Sequence, residues 1–142
     1  PRESVYIRLL ARNHVLPRIT DATGSFQFVY VKDAARAVLK CLRNPRACGQ
    51  AYNLCGEETT YEDFAIALRE AVGTDFVRVE LSVSDVLQRG IPLPFPLTAE
   101  ESQHYSGERA AELGVDYTPL AEGLRKTYLA WLEQEGRGRE PG

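Results

Sequence analysis

Phe26-Gln27-Phe28-Val29-Tyr30-Val31-Lys32-Asp33-Ala34-Ala35-Arg36-Ala37-Val38, followed after a short interval by Gly49-Gln50-Ala51-Tyr52-Asn53-Leu54, is the stretch on which the fold turns. Phe26 to Val31 alternates apolar and polar positions only in part, the pattern of a short, mostly buried strand. Asp33 has the chemistry of an N-cap, a carboxylate able to accept from orphan N–H groups two or three residues on. Ala34, Ala35, Val38, Leu39 and Leu42 share one face of the helix it would open, with Arg36, Lys40 and Arg43 opposite. Alanine at the front lets such a helix approach a sheet closely. Asn44-Pro45 ends it, and Gln50 to Cys55 has the length and composition of a core strand.

On the amino-terminal side, Glu3 to Arg12 reads as a helix with Val5, Leu9 and Arg12 at helical spacing, and Ile7 and Leu10 widening the apolar stripe. Asn13 ends it, His14 to Pro17 is extended, and Thr20 to Ser25 is a polar turn cluster. On the other side, Thr60-Tyr61-Glu62-Asp63 is a weak form of the capping box, opening a helix with Phe64, Ala65, Leu68 and Val72 inward and Gly73 as its stop. Phe76 to Leu81 predicts a half-exposed strand, and Ser82 or Ser84 caps a short helix to about Arg89. Three prolines keep Ile91 to Leu97 out of any central strand and make it an extended apolar connector. Ser106 to Leu113 is a short helix. Pro119 to Glu135 is a longer one, with Leu120, Leu124, Tyr128 and Trp131 on one face.

This order of elements, together with the run Asp33-Ala34-Ala35, the strand-end Asn53-Leu54, Ala111-Glu112-Leu113-Gly114 and Pro119 to Leu124, resembles the distal half of the extended short-chain dehydrogenase/reductase family, the NAD-dependent epimerase/dehydratase group. The likeness spans nearly the whole chain. Family members carry upstream a glycine-rich dinucleotide loop and a Tyr-x-x-x-Lys pair. Here the residues four positions after the seven tyrosines are Leu10, Ala34, Gly56, Ala65, Arg109, Ala121 and Leu132, none of them lysine, and no Gly-x-Gly-x-x-Gly occurs. A chain without methionine also has no natural start residue. The expectation is therefore the carboxyl-terminal, substrate-binding portion of a larger enzyme over residues 1–136, with a disordered tail at 137–142. The fold class expected is α/β (α+β for this portion alone), the distal part of an extended Rossmann-type enzyme with about five to six helices and a small sheet. NAD or NADP would serve the parent enzyme, whose chemistry would begin with hydride transfer at a carbinol or carbonyl carbon. This portion is expected to bind no cofactor and to be inactive alone.

The resemblance also implies where substrate residues would lie. His14 to Pro17 matches an extended piece that runs beside the base in nucleotide-sugar members, so Val15 and Leu16 are the apolar candidates. Phe26 stands where many such members carry a diphosphate-gripping arginine, and a phenyl ring offers no fork to phosphate oxygens. Either Arg18 or Arg89 takes that role or the substrate is not a nucleoside-diphosphate sugar, and the second alternative is favoured. Gln27 and Tyr30 point to opposite faces of a regular strand, and Gln27 is the candidate for lining the pocket. Asp33 and Asn53 have structural roles, in capping and in satisfying loop backbone. Gln103, His104 and Tyr105 follow the connector, near where relatives bring a second phosphate- or sugar-contacting loop to the pocket mouth, and His104 is the candidate there. Tyr105-Ser106-Gly107-Glu108-Arg109 departs from the family's usual run before Glu-Leu-Gly.

Composition sets the outer limits. With 142 residues, 44% of them hydrophobic and 26% charged, the chain is ordinary for one globular domain. A net charge of −3 gives no basic stripe for a phosphate backbone. That weighs against the rival reading, an RNA-binding protein like the chloroplast stem-loop RNA-binding relatives of this fold; a third reading is a non-catalytic regulator. No apolar run approaches the roughly 18 residues that span a bilayer, so no membrane partner and a cytoplasmic location are expected. Cys41, Cys48 and Cys55 are odd in number and read as reduced thiols rather than metal ligands, zinc preferring four ligands in close pairs. The partner expected is a small molecule, sugar-like in the family's manner. The strand at Gln50 to Cys55, lacking its sheet, should pair with Phe26 to Val31 or Phe76 to Leu81, or drive self-association.

Overall fold

The computed structural model describes residues 4–73 and 75–137. Helix α1 (Ser4–Asn13) leads through His14, whose φ of 52° is left-handed, into strand β1 (Val15–Ile19). The inward residues of α1 are Tyr6, Ile7 and Leu10, while Val5 and Arg12 face solvent. The buried stripe is thus one position round from the one the sequence suggested, because Tyr6 supplies a large ring to the core. Strand β1 runs two residues beyond the expected Pro17 and pairs in parallel with β4 (Val77–Leu81), in register from Val15–Val77 to Ile19–Leu81. Val77 and Val79 are exposed, so β4 is a bare edge rather than a half-buried strand. Its charges are used across the pair: Glu62 accepts from Arg78 (2.7 Å) and Arg18 (3.4 Å), and Glu80 from Arg18 (2.8 Å).

Strand β2 (Ser25–Gln27) is antiparallel to β3 (Glu58–Thr60), with Phe26 opposite Thr59. It is half the expected length, because the chain turns at Phe28 and enters helix α2 (Val31–Leu42) with Tyr30, not Asp33, at the N-cap. Asp33 lies inside the first turn and accepts from no cap N–H; its own N–H bonds back to the Tyr30 carbonyl (2.8 Å). The expected strand at Gln50 to Cys55 does not form. Residues 51–57 belong to no ladder; the Gly56 N–H donates to the carbonyl of Phe28, just beyond β2 (2.9 Å). Neither expected pairing of that segment occurs: β2 takes Glu58–Thr60 and β4 takes β1.

Helix α3 (Tyr61–Val72) opens with a capping box, Thr60 and Asp63 exchanging hydrogen bonds, and closes at Gly73 with φ 68°. Only glycine enters that region without strain. Helix α4 (Val83–Gln88) is capped by Ser82 through Asp85, whose carboxyl is held below its usual range by the Ser82 backbone and hydroxyl. Helix α5 (Glu108–Ala111) is shorter than expected, and α6 (Leu120–Arg137) continues to the end of the described residues. Glu3 and the segment 138–142 of the expected tail lie outside them.

The core is aromatic. Phe26 stacks on Phe95 with ring centres 4.2 Å apart and meets Phe28, Tyr61 and Phe64 edge-on. The proline-rich connector supplies Phe95 and Leu97 as its lid, held by the Tyr61 hydroxyl donating to the Phe95 carbonyl (2.7 Å). A Cβ at Gly24 would collide with the Pro96 carbonyl, so that approach requires glycine. Burial pushes the Tyr61 hydroxyl up to about 12, and that of Tyr6, which meets no hydrogen-bond acceptor, higher still.

Candidate functional site

Two regions carry polar chemistry. The first is where the loop after Leu97 is sewn to β2. The Ser25 N–H donates to the Ser102 hydroxyl (2.9 Å), and the Ser25 hydroxyl meets His104 Nε2 at 2.8 Å. The same nitrogen lies 3.5 Å from Glu58. The Gln27 amide accepts from the Tyr105 N–H (2.9 Å) and donates towards the carbonyls of Tyr105 and Gly56, both at 3.3 Å. A side-chain amide here does what a neighbouring strand would do, so Gln27 holds backbone rather than facing an open pocket. Cys55 Sγ adds a bond to the Tyr105 carbonyl (3.0 Å).

The second region is a cleft of about 640 Å³ between α3 and α6, closed at one end by Phe28 to Val31 and at another by Gly56 to Thr59. Two helical stripes face across it: Asp63, Ile66, Ala67 and Glu70 on α3, and Leu120, Gly123, Leu124 and Thr127 on α6. Both follow the i, i+3, i+4, i+7 spacing of one helix face. The lining includes four carboxylates, Glu57, Glu58, Asp63 and Glu70, and no lysine, arginine or histidine. Lys126 lies nearby, over the Tyr30 ring (5.5 Å), and is bound to Glu122 (2.5 Å), which raises its pKa.

Between the two regions and α2 runs a buried tie. Asp33 is 1% exposed; Oδ2 accepts from the Thr118 N–H (2.7 Å) and Oδ1 from the Thr118 hydroxyl (2.9 Å), with the Arg36 guanidinium alongside. A buried carboxylate is tolerated only with such partners. Its function is to pin α2 to the entry of α6.

Of the residues singled out from sequence, the structure brings Gln27 and His104 together around β2. Phe26 is a core ring, Leu16 is buried in the same core, and Val15 sits beside it at the start of β1. Arg89 is at the far end of α4, exposed, 3.8 Å from Asp85. The six therefore do not converge on one pocket. Tyr30, expected on a strand face, packs its ring against Gly123 of α6, and Asn53 is exposed. The residues that sequence reasoning passed over are Thr59, Glu70 and the partnership of Asp33 with Thr118. The acidic stripe of α3 was readable from its spacing; the Asp33 bond joins positions 85 apart in sequence and left no local signal.

A second hollow of about 640 Å³ lies along α2 and is lined by Val38, Cys41, Leu42, Cys48, Tyr52 and Leu54 among others. Val38 and Leu42, expected to pack inward, are 57% and 77% exposed, as is Leu39 in part. The face of α2 that does pack is Ala37, against Ala110 and Val115. Among the described residues no helix is long and apolar enough to cross a membrane.

No protein-family model matches the chain, and no curated protein matches it. Solved structures do. UDP-glucuronic acid 4-epimerase from Bacillus cereus, in complex with UDP-glucuronic acid and NAD, is 20% identical over 91% of this chain, with a TM-score of 0.64. WbmF from Bordetella bronchiseptica, in complex with NAD+ and UDP, is 24% identical over 99% of this chain, with a TM-score of 0.59. L-threonine dehydrogenase from Clostridium difficile is 18% identical over 94%, with a TM-score of 0.55. The matches cover 38% to 40% of those chains. The fold is therefore the one expected, that of one portion of such Rossmann-type enzymes, with mixed α/β elements and a sheet reduced to two pairs of strands.

Proposed function

We propose that this chain is the substrate-binding, carboxyl-terminal portion of an NAD(P)-dependent epimerase, dehydratase or reductase, and that the cofactor is held by a portion outside it. The observation that carries this reading is the asymmetry of the structural match, 91% to 99% of this chain against 38% to 40% of enzymes, two of which are described with NAD. The bare face of α2 and the unpaired segment 51–57 support it. The α2 face, with Tyr52 and Leu54 of that segment, lines an apolar hollow of the kind a sheet would cover, and it offers the place where the cofactor portion would dock.

The residues here do not fit a dinucleotide. A pyrophosphate calls for cations or free helix N–H groups. The α3–α6 cleft offers four carboxylates, and the first turn of α2 holds Asp33. No step of the chemistry is therefore assigned to this portion. Its part is to shape the substrate pocket, and with phenylalanine at position 26 packed into the core, the substrate of this reading is a small molecule other than a nucleoside-diphosphate sugar. An RNA-binding role draws no support from a cleft lined with carboxylates.

The test is to express the reading frame continuous with Pro1 and compare it with the 142-residue chain by calorimetric titration. The joined protein should bind NAD or NADP, and the shorter chain should not. Micromolar NAD affinity in the 142-residue chain, or none in the joined protein, overturns the proposal.

A further inference from the structure

Strand β4 leaves its sheet with an open edge. Among the described residues it pairs only with β1, and Val77 to Glu80 are all exposed. The Val77 N–H donates to the His14 carbonyl (2.8 Å) and the Thr20 N–H to the Leu81 carbonyl (2.9 Å). In a parallel ladder of this register, Val77, Val79 and Leu81 therefore turn their backbone groups to β1, while Arg78 and Glu80 turn theirs outward. The same alternation on β1 turns Leu16 and Arg18 to β4 and Pro17 away, so the sheet's other edge lacks a donor at its centre. Proline blunts an edge against further pairing. β4 has no proline, and its two charges are of opposite sign. Arg78 and Glu80 lie on the face shared with Arg18 and Glu62; Val77 and Val79, 64% and 43% exposed, lie on the other.

We infer that β4 is a homodimer interface, pairing antiparallel with β4 of a second copy about a two-fold axis through Val79. The run Val77-Arg78-Val79-Glu80-Leu81 is charge-complementary to its own reverse. In that register Arg78 of each copy stands opposite Glu80 of the other, the two exchanging their outward N–H and C=O groups, while Val79 meets Val79 and Val77 lies opposite Leu81. Opposite charges across such a pair stabilise it and like charges oppose it. A slip of two residues either way sets Arg78 against Arg78 or Glu80 against Glu80, so the charges fix the register. The contact is isologous and closes at two copies. The four-stranded sheet so formed gives Val77 and Val79 apolar neighbours and joins the two networks of Arg18, Glu62, Arg78 and Glu80. β4 lines no part of the α2 hollow where the cofactor portion would dock, so this inference and the proposed function can fail separately.

The test is sedimentation equilibrium of the 142-residue chain at neutral pH. A five-residue edge is a small interface, so monomer should give way to dimer over roughly 10 μM to 1 mM. Arg78→Glu and Glu80→Arg each set like charges opposite one another twice across the axis, and each should weaken the dimer by about tenfold or more. An equimolar mixture of the two variants should regain it, because the acidic edge of one then meets the basic edge of the other. In the wild-type chain, amide exchange at Arg78 and Glu80 should slow as concentration rises. A chain monomeric throughout that range, a dimer indifferent to both variants, a mixture no tighter than the variants alone, or Arg78 and Glu80 amides that exchange freely in the dimer overturns the inference. The wild-type measurements decide the matter if a variant fails to fold.

Discussion

The molecule has two halves that bury their apolar residues to different degrees. Phe95, on the proline-rich connector, meets the rings of Tyr6, Phe26, Phe28, Tyr61 and Phe64, and Phe64 is 1% exposed. Around α2 the packing is one alanine deep, and Leu42 on the same helix is 77% exposed. Helices in both halves carry an apolar stripe in the sequence. The difference teaches that an amphipathic pattern announces the need for a partner surface without supplying it: α3 finds its partner within the chain, and among the described residues the apolar stripe of α2 does not.

The sharpest way to break this comparison is to truncate a side chain in each half. Phe64→Ala should cost about 3–5 kcal/mol of unfolding free energy, read by denaturant titration, because a ring that touches Tyr6, Phe28 and Phe95 leaves a cavity the rest cannot fill. If Leu42→Ala cost as much, the contrast would be gone. Next comes the tie between the halves. Asp33→Ala should lose about 2 kcal/mol, leaving the part-buried Thr118 N–H unpaired. Hydrogen exchange should then quicken in α2 and residues 51–57 before it does in α3. Equal exchange throughout would show that the halves unfold as one unit.

Alkaline pH probes the aromatic half alone. The Tyr61 hydroxyl is raised to about 12 and that of Tyr6 beyond it, by burial. Groups with raised folded values favour folding fully below the ordinary tyrosine value, and that contribution is lost as pH climbs through the raised ones. Thermal stability should therefore hold to about pH 10 and fall above it. Tyr6→Phe, which removes a hydroxyl without a partner, should flatten that fall. At the acid end the sign reverses: Glu62, held low chiefly by Arg78 and also by Arg18, contributes above its ordinary value and loses that contribution as pH falls through the lowered one. The smallest effect expected is on α2. Leu39→Ser with Leu42→Ser should leave stability, read by denaturant titration, within about 0.5 kcal/mol of the parent. A large loss of stability would mean that this face is already packed.

Much of the helical pattern was legible. The capping box at Thr60, the stop at Gly73 and the Ser82 cap each depend on residues within a turn of one another, and each formed as expected. The proline-rich connector did too, because missing donors are a local property. The candidate site was less legible. Val15, Leu16, Phe26 and Arg89 were placed by resemblance, and the structure put two of them in the core and Arg89 at an exposed helix end. Gln27 and His104 did come together, but Gln27 is spent on the backbone of the loop it faces.

The strand expected at Gln50 to Cys55 marks the boundary between the two kinds of knowledge. Sequence by itself determined which segments are apolar, where α3 and α4 open and where α3 stops, since propensity, capping and periodicity act over a few residues; the larger architecture was read from a resemblance. Tertiary structure alone decided which faces found partners: that Asp33 would turn from cap to buried tie, that Thr59 would be shielded without an acceptor, and that Gln50 to Cys55 would remain outside any ladder. A strand exists only when another supplies its hydrogen bonds, and that supply depends on residues distant in the chain.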